Sequence, residues 1–527
     1  QIPEYSGTFV HFSCTFMTFR SIYGLLVSLT LASCTTNPVT GNRELGLVST
    51  AEEISIGDAQ YLPSRQMQGG DYVLDPELNA YVSEVGYRLA NVSDRALPYE
   101  FVVLNSSVPN AWALPGGKIA VNRGLLLELG SEAELAAVLG HEIVHAAARH
   151  GAQAMQRSML LQGALLATTV AARGNHSNLA IGAANLGAQL VNQRYGRGAE
   201  LEADLYGINY LANAGYDPQA AVALQETFVR LSEDRSQDWL SGLFASHPPS
   251  SERVERNRET AASLPASGEI GLDRYQAAIR RIREAQPAYN LYDRGRAALA
   301  ETRLDEADGL AVEAISLVPR EAQFHALAGD IDLARERFPE AIEHYDQAIG
   351  RYAEYFYFHL QKGRAHGALD QRDAAGSHLQ TSIELFPTAE AHYGLGTLAE
   401  TEGDLDTALE HYRIAATANS PTGKAAQGAI VRLDLPRNPG SYLQLRTLLD
   451  AQGQLLVEVA NPTLLAVRDL RLIIRYVDSF GSTRQAVRLV DRTLSPGDAL
   501  RLASGLGPFT NSNAYQVEFE SAQVVIE

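Results

Sequence analysis

The chain has 527 residues, 46% of them hydrophobic and 20% charged, and this length predicts several folded domains. The formal net charge is −19 at pH 7 and no basic stripe stands out, which argues against nucleic acid as a partner.

The N-terminus has the pattern of a signal region over residues 1–33. An apolar run from Ile22 to Ala32 is too short to span a bilayer as a stable helix. It leads into Leu31-Ala32-Ser33-Cys34, which resembles a bacterial lipobox and implies cleavage before Cys34 and lipidation of that residue. Thr35, rather than an aspartate, follows the cysteine, and this favours the outer membrane. Residues 34–50 are then predicted to be a lipidated linker.

The signal pattern also predicts where translation of the protein starts. Met17 precedes the signal and is predicted to be the true start, with residues 1–16 an upstream extension. Processing would remove Cys14, which leaves one lipid-bearing cysteine and no disulfide.

The most informative segment is His141-Glu142-Ile143-Val144-His145. Ser131 followed by Glu134 has the pattern of a capping box, which predicts that a helix starts there and runs through the motif. On a helix the two histidines project from the same face and can bind one Zn²⁺. Glu142 is then placed to act as the general base on the zinc-bound water.

A catalytic zinc needs a third protein ligand. A histidine six residues after His145 would supply it in one class of zinc peptidase, but that position is Gly151. His150 is predicted to point elsewhere, as a surface residue or a residue supporting a ligand. A second predicted helix over residues 199–211 offers a carboxylate instead. In this helix, Glu200 is predicted to be the third ligand and Asp204 to accept a hydrogen bond from a ligand imidazole. Glu202 is predicted to point away from them.

Four sequence blocks resemble the HtpX/BepA group of gluzincin peptidases, which includes the CAAX prenyl proteases. They span about residues 38–260 and comprise Asn37–Gly41 with the segment that follows it, Asn110–Gly117 with the segment that follows it, the HEIVH motif, and Glu200 with Asp204.

This resemblance implies further site residues. The strand Lys118, Ile119, Ala120, Val121 and Asn122 would be the edge strand along which a peptide substrate lies. His247, in a Ser-His-Pro context, would occupy the fourth zinc position as a latch or, alternatively, stabilise the tetrahedral intermediate. Arg253 would help to orient this loop.

An internal repeat follows residue 285. Gly295, Gly329, Gly363 and Gly396 recur at a nearly constant spacing, and alanines recur in the same register. This is the pattern of about four tetratricopeptide repeats, which form a superhelix with a concave binding face. An aromatic cluster at Tyr352 and residues 355–358 is predicted to be partly core and partly exposed.

The last part of the chain changes to strand patterns. Leu470, Leu472 and Ile474 alternate with Arg471 and Arg475, and turn signals separate such runs. This predicts a small antiparallel β-sandwich, which is a departure from BepA-like proteins.

The chain is therefore predicted to be multidomain. A mainly α, zincin-type α+β peptidase domain covers 51–262, a connecting helix 263–287, an α-solenoid of tetratricopeptide repeats 288–435, and the β-sandwich 440–527.

The leading functional interpretation is a zinc endopeptidase with one Zn²⁺ per chain that hydrolyses misfolded or stalled envelope proteins. Its location would be the periplasmic side of the outer membrane, anchored at Cys34, with the repeats contacting the outer-membrane assembly machinery.

Two alternatives remain open. The first is a chaperone-like assembly scaffold with a mostly latent peptidase. The second is a CAAX-type prenyl protease, which needs membrane-embedded helices. The apolar stretch over residues 159–172 is short for a membrane span and is interrupted by Gln162, so it is interpreted as a helical lid.

Overall fold

A computed structural model describes residues 34–158, 194–234, 246–265, 267–478 and 480–525. The predicted signal region and the predicted lid over residues 159–172 lie outside the described residues. The described chain divides into two compact units, the first containing residues 34–61, 75–158 and 194–283 and the second containing residues 62–74 and 284–525. Within the described ranges, no helix is both long and apolar enough to cross a membrane.

The segment predicted to be a linker begins with a two-stranded antiparallel hairpin, and this corrects the prediction. Its strands are Cys34–Thr36 and Arg43–Leu45. In the turn, the buried Asn37 accepts hydrogen bonds from the backbone N–H groups of Val39 and Thr40 at 2.9 and 3.2 Å. Its amide also donates to the backbone oxygen of Ala148 at 3.1 Å. The sequence of a short polar segment suggests a linker, because a side-chain contact to a residue more than a hundred positions away produces no pattern in the local sequence.

The first unit combines helices with one small sheet. The helices that begin in it are Thr50–Met67, Pro76–Ala90, Arg123–Glu128, Glu132–Ala147, Arg197–Asn213, Gln219–Asp234, Ser251–Ala262, Leu272–Ala278 and Arg280–Ala300. The sheet consists of Glu100–Leu104, Ala111–Leu114 and Lys118–Asn122. This mixed helical and sheet content agrees with the α+β character predicted for this part of the chain.

The sheet order corrects the prediction for Lys118–Asn122. This strand is the central one, paired in parallel with Glu100–Leu104 and antiparallel with Ala111–Leu114. Both of its edges are occupied, so no peptide can add to it. The sequence pattern shows that a strand is present but does not show which strands lie beside it. The edge strand that packs against the helix Glu132–Ala147 is Ala111–Leu114.

Two helices of this unit approach each other closely. We call Glu132–Ala147 the motif helix and Arg197–Asn213 the ligand helix. They meet at Gly140 and Gly207, where an added side-chain carbon on Gly207 would lie 3.1 Å from the backbone nitrogen of His141. Ala203, one turn earlier, is fully buried. The close approach predicted from Ala203 and Gly207 is confirmed, and it brings the acidic face of the ligand helix to the motif histidines.

The second unit contains helical repeats. Its helices after Arg280–Ala300 are Leu304–Leu317, Ala322–Ala334, Phe338–Ile349, Phe356–Ala368, Arg372–Leu385, Ala389–Glu402, Leu405–Ala415 and Pro421–Asp434. The repeated glycines lie where consecutive helices touch. A side-chain carbon on Gly329 would come within 2.8 Å of the Tyr345 ring, and one on Gly396 within 2.8 Å of the Tyr412 ring. The glycine period therefore reflects tight helix packing rather than chain flexibility.

The repeats also carry histidine pairs in one register. His359 and His378 approach through their Nδ1 atoms at 3.2 Å, and His392 and His411 do so at 3.0 Å. The Nε2 atom of His359 donates to the backbone oxygen of Ala353 at 2.9 Å, so its Nδ1 accepts when the ring is neutral. Burial, with help from nearby cationic groups, lowers the pKa of His378 to about 4, and burial and His411 lower the pKa of His392 to about 4.

These pairs predict that mild acid destabilises the repeat helices. The folded pKa values of His378 and His392 lie below the usual value of about 6.5, so the unfolded chain binds more protons. The stability is present above about pH 6.5 and is lost as pH falls toward 4. We expect the melting temperature of the repeat transition to be a few degrees lower at pH 5 than at pH 7.5, measured by circular dichroism. Replacement of both histidines by glutamine should reduce this difference, and an unchanged difference would contradict the assignment.

The chain ends in two antiparallel three-stranded sheets. One has the order Ala499–Ala503, Leu455–Ala460, Gln444–Leu449, and the other has the order Tyr515–Val524, Val467–Val477, Thr483–Val490. Leu470, Leu472 and Ile474 are fully buried, and residues of both sheets contribute to one hydrophobic cluster. The predicted alternation of apolar and polar positions is therefore present in the strand Val467–Val477.

Candidate active site

The motif helix begins where the sequence predicts. The Ser131 hydroxyl accepts a hydrogen bond from the backbone N–H of Glu134 at 3.2 Å. The Glu134 carboxylate in turn accepts from the backbone N–H of Gly130 at 2.9 Å, one residue before the capping serine. The cap leaves the HEIVH motif in the second half of a regular helix, and His141, Glu142 and His145 are all buried there.

The predicted ligands converge on one point. The Nε2 atoms of His141 and His145 are 3.0 Å apart. The Glu200 carboxylate lies 3.4 Å from His145 Nε2 and 3.6 Å from His141 Nε2. His247 joins them, with its Nδ1 atom 3.3 Å from His141 Nε2 and 3.1 Å from Glu200 Oε1. All four side chains are buried, and together they form a group able to hold a metal ion.

The spacing of these atoms fits a tetrahedral ion. Metal–ligand bonds of about 2.0–2.1 Å at tetrahedral angles separate the ligand atoms by roughly 3.3–3.4 Å. Five of the six pairs among the two motif histidines, Glu200 and His247 are 3.0 to 3.6 Å apart, and all four ligand atoms lie within 4.8 Å of one another. Three nitrogens and one carboxylate oxygen are ligand types that zinc accepts. The donor set therefore fits one zinc ion.

Asp204 and Arg253 form a buried clamp beside the ligands. Asp204 Oδ1 lies 2.9 Å from His141 Nδ1, the ring atom that faces away from the ligand group. The guanidinium of Arg253 donates to both Asp204 oxygens at 2.7 Å and reaches Glu200 at 3.0 Å. It also donates to the backbone oxygen of Pro248 at 3.3 Å, next to His247. One cation thus connects Glu200 and Asp204 of the ligand helix with the segment that carries His247.

The clamp sets the charge of its members. Burial alone would raise the pKa of Asp204, but the charge and hydrogen bonds of Arg253 outweigh burial and lower it. Burial would likewise lower the pKa of His141, yet hydrogen bonds to Asp204 and Glu200 raise it to about 10, and a metal ion bound at Nε2 would displace that proton. Asp204 is therefore an ionised acceptor that fixes which ring nitrogen of His141 faces it.

Glu142 lies beside the ligand group. Its Oε1 atom is 3.6 Å from His247 Nε2, and its Oε2 atom has no hydrogen-bond partner among the described residues. Burial raises the pKa of this carboxylate. A cavity beside it is lined by apolar side chains that include Val138, Leu224 and Phe228. The arrangement places a buried proton acceptor next to a cavity of about 30 Å³, which has room for a water molecule.

Sequence reasoning left His150 open between a surface residue and a residue supporting a ligand, and it missed the role of Glu202. His150 is buried, with its Nδ1 atom 2.8 Å from His145 Nδ1 and its Nε2 atom 3.2 Å from Glu202. The assumption of a continuous helix placed His150 on another face. Arg149 breaks that helix with a left-handed φ of 65°, and the break turns the next side chain back toward His145. The surface reading of His150 is therefore wrong, and so is the outward orientation of Glu202.

Tyr195 was also missed. Its ring stacks on His145 with centroids 4.0 Å apart and planes 21° from parallel. It precedes the ligand helix in a stretch without periodic pattern, so the sequence carried no signal for it.

Two other predicted site features lie outside this group. Lys118, at the start of the central strand, pairs with Asp58 at 2.9 Å and also with Glu100. Cys34 lies in the first strand of the N-terminal hairpin.

Comparison with known families agrees with this geometry. Residues 76–261 match the family model described as Peptidase family M48, and residues 292–355 and 360–424 match a tetratricopeptide repeat model. Tetratricopeptide structures also align at low similarity. A thermophilic repeat protein of Thermus thermophilus is 22% identical, covers 30% of this chain and 90% of that one, and has a TM-score of 0.26.

Relatives match over different spans. The beta-barrel assembly-enhancing protease of Escherichia coli K12 is 28% identical over 346 residues, which is 59% of this chain and 69% of the relative. A Vibrio cholerae protein described as a putative protease of the same name is 34% identical over 226 residues, which is 41% of this chain. The match spans about half (45%) of the length of that relative.

The metalloprotease YcaL of Escherichia coli K12 is 30% identical over 226 residues, which is 40% of this chain and 84% of YcaL. The alignment thus covers most of a metalloprotease, and the family match contains the ligand group found in the structure. The predicted resemblance is confirmed: this chain belongs to peptidase family M48 and carries tetratricopeptide repeats.

Proposed function

We propose that the chain is a zinc endopeptidase that cleaves unfolded or misassembled envelope proteins and is held latent by His247. The observation that carries this proposal is the buried group of His141, His145, Glu200 and His247 at tetrahedral spacing, with Glu142 beside it. The names of the protease relatives support a protein substrate.

When bound, Zn²⁺ would polarise the scissile carbonyl and increase the acidity of a water molecule. His141, His145 and Glu200 would hold it. Glu142 would take a proton from the attacking water and pass it to the leaving amine, for which its buried position and raised pKa suit it. Asp204 and Arg253 would keep the ligands in position through the clamp.

The substrate would add to the edge strand Ala111–Leu114, since the central strand has both edges occupied. This strand is packed against the motif helix, so a peptide paired with it would run past Glu142.

The latch follows from the ligand count. A catalytic zinc keeps three protein ligands and leaves the fourth position for water or substrate. His247, whose Nδ1 atom is 3.3 Å from His141 Nε2 and 3.1 Å from Glu200 Oε1, would take that fourth position and would have to leave before catalysis. The same observation favours the second candidate function, a chaperone-like assembly scaffold whose peptidase stays mostly latent.

Replacement of His247 by alanine is expected to raise the cleavage rate. If the open state is populated at about 0.1–10%, removal of the latch should accelerate cleavage about tenfold or more. The measurement follows fragments of a urea-unfolded outer-membrane protein on gels, with zinc content determined on the same samples. His366→Ala, at a half-buried position in the repeats, is the matched control.

The outcomes separate the candidate roles. A lower rate with zinc retained would mean that His247 stabilises the tetrahedral intermediate instead. No cleavage by the wild type or by His247→Ala, with zinc bound to both, would favour the scaffold.

His150 and Glu202 are proposed to position His145. With His145 Nε2 directed at the metal, its Nδ1–H donates to His150 Nδ1, and His150 Nε2–H donates to Glu202. We expect Glu202→Gln and His150→Ala to weaken zinc binding by about 10–100-fold, measured by competition with a chelator. Glu255→Gln, which alters an exposed glutamate on another helix, is the control. Unchanged zinc affinity in both test variants would exclude this role.

The remaining proposals concern location and architecture. Cys34 would carry the lipid, on the periplasmic side of the outer membrane, and the repeats would contact the outer-membrane assembly machinery. The domains would be a zincin-type peptidase over 51–262, repeats over 288–435, and a sandwich of the two terminal sheets over 440–527. The shared hydrophobic cluster of those sheets supports the sandwich.

A further inference from the structure

Six histidines of the repeats recur as three pairs in one register. In each of three repeats, the fourth residue of the first helix and the seventh residue of the second helix are histidines. The two members of a pair are 19 positions apart in the chain. We call these six residues the histidine ladder, and its pairs are His325 with His344, His359 with His378, and His392 with His411.

The Nδ1 atoms face each other in the second and third pairs. They are 3.2 Å apart in the pair of His359 and 3.0 Å apart in the pair of His392. In the first pair, the Nδ1 atoms of His325 and His344 are both buried, and neither has a hydrogen-bond partner among the described residues. A hydrogen bond between the rings therefore accounts for the second and third pairs but not for the first.

The backbone sets the orientation of two ladder rings. His325 Nε2 lies 2.9 Å from the backbone oxygen of Pro319, and His359 Nε2 lies 2.9 Å from that of Ala353. A neutral imidazole has a single N–H, so donation from Nε2 leaves a lone pair on Nδ1. Histidine ligands of metal ions are held in this way, with the second ring nitrogen donating to a carbonyl or carboxylate. Both Nδ1 lone pairs are therefore available to a metal ion.

The ladder rings are uncharged at neutral pH. Burial lowers the pKa of His325 and of His359. It is also the main cause that lowers the pKa of His378 and of His392 to about 4. A metal ion binds the neutral form of imidazole, so no proton has to be removed from these rings at pH 7.

The separation of the Nδ1 atoms fits one shared metal ion. Two metal–nitrogen bonds of about 2.0–2.1 Å with their nitrogens 3.0–3.2 Å apart enclose an angle of roughly 90–105° at the metal. This range lies between the square-planar angle that Cu²⁺ prefers and the tetrahedral angle of Zn²⁺. Imidazole is a suitable ligand for both ions.

From this geometry we propose that each pair of the histidine ladder binds one divalent transition-metal ion between its Nδ1 atoms, with Cu²⁺ held more tightly than Zn²⁺. The order follows from the general rise in affinity toward Cu²⁺ among the divalent first-row metals. Water completes the coordination. In the first pair, the Asp332 carboxylate lies 3.5 Å from His344 Nε2 and would orient that ring.

Binding to the second pair moves one proton. Without an ion, the Nδ1–H group of His378 donates to Nδ1 of His359. The ion takes the position of this proton, and the half-buried His378 ring is protonated at Nε2 instead. The ring stays neutral throughout. The bound ion then connects the first and second helices of the repeat, which stabilises the folded repeats by mass action.

The test is a titration of the full chain with CuCl₂ at pH 7.5, after zinc loading and with Glu142→Gln to prevent self-cleavage. Bound copper and zinc are counted by mass spectrometry after desalting, so displacement of zinc by copper is measured directly. Electron spin echo envelope modulation counts the imidazole rings on each Cu²⁺. We expect three Cu²⁺ per chain in addition to any that replaces zinc, one for each pair and each with two imidazoles.

Glutamine in place of one member of a pair should remove that pair's ion. His344, His378 and His411 are the half-buried members, so their variants should fold, and a circular dichroism melt without metal verifies it. Each single variant should lose one Cu²⁺, and the triple variant should lose all three. Cu²⁺ should raise the melting temperature of the wild type but not of the triple variant. His366→Gln alters a half-buried histidine of the repeats that belongs to no pair, and it should keep all three ions.

The proposal is wrong if Cu²⁺ bound to the wild type, beyond any that replaces zinc, carries fewer than two imidazoles. The same conclusion follows if the folded triple variant binds as much copper as the wild type, or if His366→Gln loses an ion. The spectroscopy of the wild type decides the question even where a variant does not fold. No ladder histidine belongs to the zinc ligand group, so this proposal does not rest on the proposed peptidase function and fails separately from it.

Discussion

Glu142→Gln is expected to abolish cleavage while zinc stays bound. Glutamine keeps the size of glutamate but cannot accept the proton of the attacking water. General base catalysis contributes about 10²–10⁴-fold to rate, so cleavage of an unfolded outer-membrane protein should fall by that factor. The structure gives a reason to expect zinc retention, because Glu142 contacts His247 but is not a member of the ligand group.

The comparison requires rates and metal content on the same protein preparations. His247→Ala provides the more active background in which a large loss can be measured, so Glu142→Gln should also be made there. Glu226→Gln removes an exposed carboxylate that pairs with Arg258 on the protein surface and should leave the rate unchanged. Wild-type cleavage by Glu142→Gln would refute the proposed mechanism.

Arg253→Gln is expected to be the most destabilising change in the site. It removes the cation that neutralises Asp204 and Glu200, and all three groups are buried. Loss of one partner from a buried ion pair costs about 3–5 kcal/mol, because the remaining charge has no water around it. Asp204 would then lose its fixed position and no longer orient His141, so zinc affinity should fall as well.

Denaturant unfolding with and without a zinc chelator measures both effects. Arg256→Gln, on the same helix, is the matched control, since Arg256 is exposed and pairs with Glu259 at 3.7 Å. It should behave as an ordinary surface substitution. If Arg253→Gln were no less stable than Arg256→Gln, the clamp would not hold the ligand helix as described.

The sequence predicted the parts of the site that depend on local rules. The i and i+4 spacing placed His141 and His145 on one helix face, and the acidic i and i+4 pair on the next helix supplied Glu200 and Asp204. The close contact between the two helices was also predictable, because two helices can approach this closely only where residues as small as Gly207 and Ala203 lie between them. The glycine register of the repeats was readable for the same reason.

The parts that failed depend on contacts between distant segments. Strand order is one case, since Lys118–Asn122 reads as a strand whether it is central or at an edge. The position of His150 is another, because a single left-handed residue, Arg149, redirects it. That conformation is supported by Glu53, nearly a hundred residues earlier, whose carboxylate accepts from Arg149 Nε at 2.6 Å. No local pattern encodes such a contact.

The hydrogen bond from Asn37 to Ala148 has a geometric consequence for where the enzyme can work. Cys34 lies three residues before Asn37, and three residues extend over roughly 10 Å at most. Ala148, in turn, follows His145 of the candidate metal site by three positions along the chain. A lipid attached at Cys34 would therefore hold the motif helix close to the membrane surface rather than at the end of a long flexible linker. The proposed peptidase would then act only on proteins close to the bilayer surface. A protein would become a substrate by remaining near the membrane.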